Sequence, residues 1–182
     1  MIRNFGRFAR VCLAVAATVV LSAGTLVTAT SPAAAAATPH TIHPAGWTIP
    51  RCLDQHFDSA GAATTLVRSW ENCSGVYNQQ WRFEWVQGPN AYRIVNHRWD
   101  AAGLWCLSAP NGNSSNVYAE LCVNPVPLKQ TWTPGARSSG SNQLRNELSY
   151  QCLEWDPNYV TWVYVRTCDW SNTRQDWFWF PA

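Results

Sequence analysis

Cys52-Leu53-Asp54 … Cys73 … Gln79-Gln80-Trp81 is written again as Cys106-Leu107-Ser108 … Cys122 … Gln130-Thr131-Trp132, and a third time as Cys152-Leu153-Glu154 … Cys168 … Gln175-Asp176-Trp177. The leading cysteines are 54 and 46 residues apart and the closing tryptophans 51 and 45. One unit of about 45–50 residues is therefore repeated three times, a period that marks a repeat architecture. A short apolar segment stands ahead of each Cys-Leu, at residues 47–49, 92–96 and 144–148. The three repeats fall at about 41–87, 88–136 and 137–182, and they use up the C-terminal four fifths of the chain.

The units read as β. Apolar residues take every second position in Trp81-Arg82-Phe83-Glu84-Trp85 and in Tyr92-Arg93-Ile94, and residues 160–165 are β-branched or aromatic throughout. Gly, Pro, Asn and Ser clusters at 87–90, 110–116 and 138–142 punctuate these runs. No helical period stands out after residue 37. Short strands with frequent turns predict a closed all-β architecture.

Ahead of the repeats, Arg3, Arg7 and Arg10 precede an uncharged stretch over residues 11–29, and the alanines at 33–37 offer small-x-small cleavage sites. Residues 1–37 are thus predicted to be a secretory signal peptide, with 38–182 as the mature, exported domain. Cys12 lies too early in the apolar run to accept a lipid. Three of the 13 Lys and Arg residues lie in the signal and none of the 11 Asp and Glu, so the remainder is close to neutral. A nucleic-acid binder would show a clustered positive excess, and none is visible. No later apolar run has the twenty or so residues of a membrane-spanning helix. The reading is a soluble extracellular monomer.

Six cysteines remain beyond the signal, and an even number in an exported chain predicts disulfides, with pairing left open among 15 arrangements. Spacings of 21, 16 and 16 within successive couples are unlike a zinc knuckle. No metal site and no cofactor are expected.

The pattern resembles the ricin-type (R-type) lectin family, whose domain is a β-trefoil of three Cys-Leu-Asp … Cys … Asn-Gln-x-Trp repeats. The resemblance covers residues 41–182 and implies the pairing Cys52–Cys73, Cys106–Cys122 and Cys152–Cys168. It also implies non-covalent binding of galactose-type or xylan-type glycans. Sugar hydroxyls need a fixed carboxylate, an amide and an aromatic face. In the family these are the residue after Cys-Leu, the Asn of Asn-Gln-x-Trp, and an aromatic two residues before the second cysteine.

Repeat one supplies Asp54, Asn78 and Gln79, but Glu71 stands at the aromatic position and Trp70 one residue earlier. A one-residue offset along a strand turns a side chain to the opposite face. Trp70 would serve only through a bulge, for which the longer loop at 58–65 gives room. The carbohydrate site is accordingly placed at Asp54, Asn78, Gln79 and Trp70, with a turn cap as the alternative role for Asp54. Asp54→Ala is expected to abolish sugar binding and leave folding intact. Repeat two, with Ser108, Glu120 and Lys129 at the three positions, reads as structural. Repeat three has Glu154 with Asp156 nearby, and Arg166 and Arg174 in place of the aromatic and the Asn. A rebuilt second site there would use Glu154, Asp156 and Trp162, with Trp155, Tyr159 and Tyr164 close in sequence.

Trp81, Trp132 and Trp177 are expected in the core with Leu53, Leu107 and Leu153, each Gln satisfying backbone groups beneath its Trp. Trp70, Trp99, Trp105, Trp155, Trp162 and Trp170 are the candidates for exposure. No GxSxG, HExxH or phosphate-binding loop is present, so an enzyme is not expected. The competing function is a sugar-independent module that binds or inhibits a protein partner.

Overall fold

The computed structural model describes residues 38–46, 51–86, 90–113, 115–156 and 162–182. The signal peptide assigned to residues 1–37, the apolar segment 47–49 and Tyr159 lie outside these residues. Repeat one contributes β1 (His40–Pro44), β2 (Cys52–Phe57), β3 (Ala63–Trp70) and β4 (Gln80–Trp85). Repeat two contributes β5 (Tyr92–Asn96), β6 (Trp105–Ser108), the two-residue β7 (Ser115–Asn116), β8 (Tyr118–Leu121) and β9 (Thr131–Ala136). Repeat three contributes β10 (Asn142–Asn146), β11 (Gln151–Trp155), β12 (Val163–Thr167) and β13 (Trp177–Pro181). The strand opening repeat one is therefore His40–Pro44, earlier than the 47–49 segment expected to play that part. Ile42 takes the place that Ile94 and Leu144 hold in the other repeats.

Six strands close on one another in the order β1, β4, β5, β9, β10, β13 and back to β1, all antiparallel. Closure removes the free edges that an open sheet of these short strands would expose. Six of the other seven strands form three hairpins, β2–β3, β6–β8 and β11–β12, and the short β7 pairs with β12. The hairpins meet through Leu66 opposite Tyr118, Tyr164 opposite Asn116, and a bridge between Arg68 and Trp162. A six-stranded barrel carrying three hairpins, built from a threefold sequence repeat, is a β-trefoil.

Period-two alternation turns one residue type from each repeat into the shared core. Ile42, Ile94 and Leu144, Leu53, Leu107 and Leu153, and Trp81, Trp132 and Trp177 are all fully buried. Each indole N–H donates to the carbonyl of the Leu in its own repeat, Leu53, Leu107 or Leu153, at 2.9 Å. The tryptophan thus fills volume and satisfies a backbone oxygen that the interior would otherwise strand. Disulfides join Cys52 to Cys73, Cys106 to Cys122 and Cys152 to Cys168, one per repeat. Each ties a hairpin strand to the segment leaving the facing strand, and loops of this length correspond to about 3 kcal/mol of stabilisation apiece in the chain-entropy picture.

Of the tryptophans expected at the surface, Trp99, Trp162 and Trp170 are exposed. Trp155 is buried in the core and Trp105 packs against it, because both face inward from strands that cover the barrel end. Trp85, which the alternating pattern had placed on a strand without assigning it outward, is also exposed.

Candidate functional site

Each barrel strand that carries a core Trp is preceded by one 3-10 turn, Tyr77–Gln79, Leu128–Gln130 or Thr173–Gln175. The Gln that ends the turn is buried, and its amide organises the chain around it. The oxygen accepts backbone N–H groups, from Ser74 and Gly75, from Val123, or from Asp169. The nitrogen donates to the carbonyl of Asn72, Leu121 or Thr167. It also donates to a carboxylate: Asp54 at 3.3 Å, Glu120 at 3.0 Å and Glu154 at 2.9 Å. The three repeats thus hold three carboxylates in corresponding places, each beside at least one cation.

In repeat two the carboxylate arrives from the other strand of the hairpin. Ser108 occupies the position after Cys-Leu, and its hydroxyl donates to Glu120 Oε1 at 2.9 Å, while Lys129 Nζ donates to Oε2 at 2.8 Å. The sequence alone made this repeat the one lacking a carboxylate, because it compared position with position along the chain. Glu120 pairs with Cys106 across the hairpin, and its longer side chain reaches the same spot. Burial pushes the Glu120 carboxyl up, but hydrogen bonds from Lys129, Ser108 and Gln130 outweigh it and hold the carboxyl below its ordinary value. A depressed folded value adds stability above the unfolded glutamate pKa, and that stability is lost as pH falls through the folded value. Lys129→Met is expected to cost about 0.5–1 kcal/mol at pH 7, since both partners are partly solvated. The difference should close at pH 3 in urea unfolding; an unchanged gap at pH 3 would show that the ammonium acts through packing.

Repeat one brings Asp54, Asn78, Gln79 and Trp70 together. Trp70 pairs with Cys52 as Glu120 pairs with Cys106 and Arg166 with Cys152. It therefore stands at the aromatic position of the repeat, on the same face of the hairpin as Asp54. The expected bulge in the 58–65 loop is not what puts it there. The extra residue lies after β3, at Glu71 and Asn72, where the chain has left the ladder. Asp54 is buried and caps no turn. Arg68, directly opposite it, donates Nε–H to Oδ1 at 2.9 Å, and Asn78 donates to Oδ2 at 2.7 Å. The Arg68 guanidinium also lies 3.8 Å from the centre of the Trp70 ring. Both oxygens of Asp54 and one face of Trp70 are thus in use within the protein. Burial pushes the Asp54 carboxyl above its ordinary value, with the Arg68 and Gln79 hydrogen bonds pulling the other way.

Repeat three is arranged differently. Glu154 Oε2 accepts from Asn172 and Gln175, both at 2.9 Å. Asn172 restores the amide that Arg174 seemed to have displaced. The sequence reading missed it because it stands three residues before Gln175 rather than one. The available signal was its capping role, since its Oδ1 accepts the Arg174 N–H at 3.1 Å. Glu154 Oε1 is buried and accepts no hydrogen bond among the described residues. Arg166 and Arg174 approach it only to 3.5 and 3.7 Å. Above it lies an open concavity of about 550 Å³ lined by Arg166, Arg174, Asn172, Asp169 and Asn113.

Asp156 and Trp162, grouped with Glu154 from the sequence, do not line that concavity. Asp156 accepts the Tyr164 hydroxyl, and burial together with this carboxylate pushes the phenol far above its ordinary value. Trp162 accepts the Asp156 N–H through its carbonyl and its backbone forms a bridge with Arg68 of repeat one. Among the described residues, no group of three or more His, Cys, Asp or Glu side chains is placed to hold a metal ion, and no helix is long and apolar enough to cross a membrane.

No family model and no curated protein sequence matches the chain. Solved structures do. A mosquitocidal holotoxin superposes over 80% of this chain with a TM-score of 0.64 and 20% identity, the match spanning 17% of the toxin. The designed threefold symmetric protein ThreeFoil superposes over 78% of this chain and 96% of its own, with a TM-score of 0.63 and 18% identity. The Polyporus squamosus lectin bound to the epitope Neu5Aca2-6Galb1-4GlcNAc matches 79% of this chain and 48% of the lectin, with a TM-score of 0.58 and 14% identity. At these identities the likeness concerns the fold, and it agrees with the β-trefoil described above.

Proposed function

We propose that this protein binds carbohydrate non-covalently and does so first at repeat three, over Glu154. The observation that carries this reading is the Glu154 Oε1 atom at the floor of an open polar concavity, a buried carboxylate oxygen that among the described residues accepts no hydrogen bond and has Arg166 and Arg174 beside it only at ion-pair distance, 3.5 and 3.7 Å. A buried acceptor left unfilled is costly, and a sugar hydroxyl is a donor of the right size to fill it. Asn172, Arg166 and Arg174 around the rim supply further donors for ring and hydroxyl oxygens. The reading is supported by the likeness in fold to the Polyporus squamosus lectin, which was solved bound to a glycan epitope, and the three disulfides accord with an oxidising compartment.

Repeat one is the second sugar site of this proposal, built on Asp54, Asn78, Gln79 and Trp70 and suited to galactose-type or xylan-type glycans. A ligand there has to take over the hydrogen bond and the ring face that Arg68 now occupies. In repeat three the two cations stand at 3.5 and 3.7 Å and no hydrogen bond to Oε1 has to be displaced, which is why it comes first.

Glycan-array screening of the oxidised protein, followed by calorimetry on the hit, tests both. Glu154→Gln keeps the shape and removes the charge, and is expected to weaken sugar binding at least tenfold, the scale of a hydrogen bond to a charged group. Retained affinity in Glu154→Gln with loss in Arg68→Ala would move the primary site to repeat one. A sugar-independent protein contact is favoured by one feature, the exposed Leu104, Leu121, Val123 and Leu128 around the Cys106–Cys122 bridge. A clean negative on glycans from folded protein would leave that reading in place.

A further inference from the structure

We propose that Arg98, Trp99, Tyr77 and His97 form a separate binding site for a uronic-acid residue of a polysaccharide, with Arg98 taking the sugar carboxylate. Among the described residues, every other Lys or Arg side chain stands within salt-bridge distance of an Asp or Glu. Arg98 alone has no such partner. Its guanidinium is nonetheless held still, 3.8 Å from the centre of the Phe57 ring and with Nη2 donating to the Gly61 carbonyl at 3.2 Å. The nearest acid in sequence, Asp100, is turned to its own loop and accepts the Ala102 N–H. A cation fixed in place without a counter-charge is prepared for an anion from outside.

The surroundings define the rest of the ligand. Trp99 is 72% and Tyr77 65% exposed, and both line one concavity of about 580 Å³ with His97, Arg98 and Arg82. That volume is within the range of small-ligand sites. Tyr77 and His97 pack ring on ring at 5.5 Å. Asn96 fixes the two walls together, donating to the Asn78 carbonyl beside Tyr77 and accepting the Arg98 N–H, each at 3.0 Å. Arg82 is already engaged by Glu84 at 2.6 Å, so among the described residues Arg98 is the one cation of the cleft without a carboxylate partner. A single fixed charge between aromatic faces suits a ring that carries one carboxylate. It does not suit a nucleic acid, which needs many phosphate contacts. Uronate residues have that form, with C–H faces to lie on Trp99 or Tyr77.

The probes are trigalacturonic acid and its neutral methyl ester, titrated into the oxidised protein by calorimetry. The acid is expected to bind at least tenfold more tightly than the ester. Arg98→Gln and Trp99→Ala should each weaken the acid at least tenfold, and Glu154→Gln should leave it unchanged, which separates this site from the one over Glu154. If Arg98→Gln proves unfolded by near-UV circular dichroism, Trp99→Ala and Tyr77→Ala carry the test, since both side chains are mostly in solvent. Equal affinity for acid and ester, full affinity in Trp99→Ala, loss in Glu154→Gln alone, or no binding of the acid at millimolar concentration each overturns the proposal.

Discussion

Asp54→Ala is expected to destabilise the protein by about 2–4 kcal/mol at pH 7, so that lost sugar binding in this variant would not by itself identify a ligand residue. The carboxylate is buried and receives Arg68, Asn78 and Gln79. Removing it leaves a guanidinium and two amide groups facing an apolar methyl. Asn78 and Gln79 keep weaker or second acceptors at the Gln55 and Asn72 carbonyls, which keeps the estimate below that of a fully stranded network. The sequence reading had this substitution leaving the fold intact, and the burial of Asp54 is the reason to revise it. Its pH dependence is distinctive. Burial raises the folded carboxyl above its unfolded value of 3.8, so the penalty on the ionised form is present at neutral pH and eases as pH falls through the folded value. The gap between wild type and Asp54→Ala should therefore widen between pH 7 and about pH 4, opposite in direction to the Lys129–Glu120 pair. Urea unfolding at the two pH values measures it, and a difference below 1 kcal/mol at both would show that the network contributes nothing net.

Trp132→Ala carries the other large effect, a loss of about 3–5 kcal/mol. The ring is fully buried in the core cluster shared by the three repeats, and its N–H is bonded to the Leu107 carbonyl. Truncation opens a cavity between three repeats that pack on one another, and neighbours fixed by two other tryptophans and three disulfides have little room to collapse into it. Total stabilities of about 5–15 kcal/mol are usual, so the variant should be marginal at 37 °C. Trp132→Phe separates the contributions by keeping most of the volume while leaving the Leu107 oxygen unpaired, at about 1–3 kcal/mol. Equilibrium denaturation of the oxidised proteins is the measurement. A loss under 1 kcal/mol in Trp132→Ala would mean that the shared core is not where the stability resides.

The two predictions differ in how far the sequence could support them. Trp132 was assigned to the core on its recurrence alone, and recurrence is sufficient there. Each copy stands at the same place in its repeat and lies buried in the one shared core, so its environment is set by the repeat. The same holds for Leu53, Leu107 and Leu153 and for the three buried glutamines. The cysteine pairing also followed, through the resemblance, and the structure has it as expected.

The carboxylate sites depend on what stands opposite. Trp70 was read as one residue out of register because distance from Cys73 was counted along the chain, and that count includes Glu71 and Asn72, which lie outside the ladder. Glu120 was read as a substitution at an aromatic position, yet it supplies repeat two with the carboxylate that Ser108 lacks. Asn172 reaches Glu154 from two residues before the position where an amide was sought. Arg68, which occupies the Asp54 site, was not singled out at all.

By itself the sequence determined the threefold repeat, the all-β trefoil, the intra-repeat bridges and the residues of the common core. The repeat, the β character and the core positions follow from alternation and period, which are properties of the chain taken in order, and the trefoil and its bridges follow from the resemblance that the repeated motif carries. Only the tertiary structure decided that Asp54 is filled by Arg68, that Glu154 Oε1 accepts no hydrogen bond among the described residues, and that Arg98 has no carboxylate partner among them while it stands by the exposed Trp99 and Tyr77. Those outcomes are set by cross-strand register and by groups brought together from 14 to 37 residues apart, and no pattern along the chain encodes which charge will meet which.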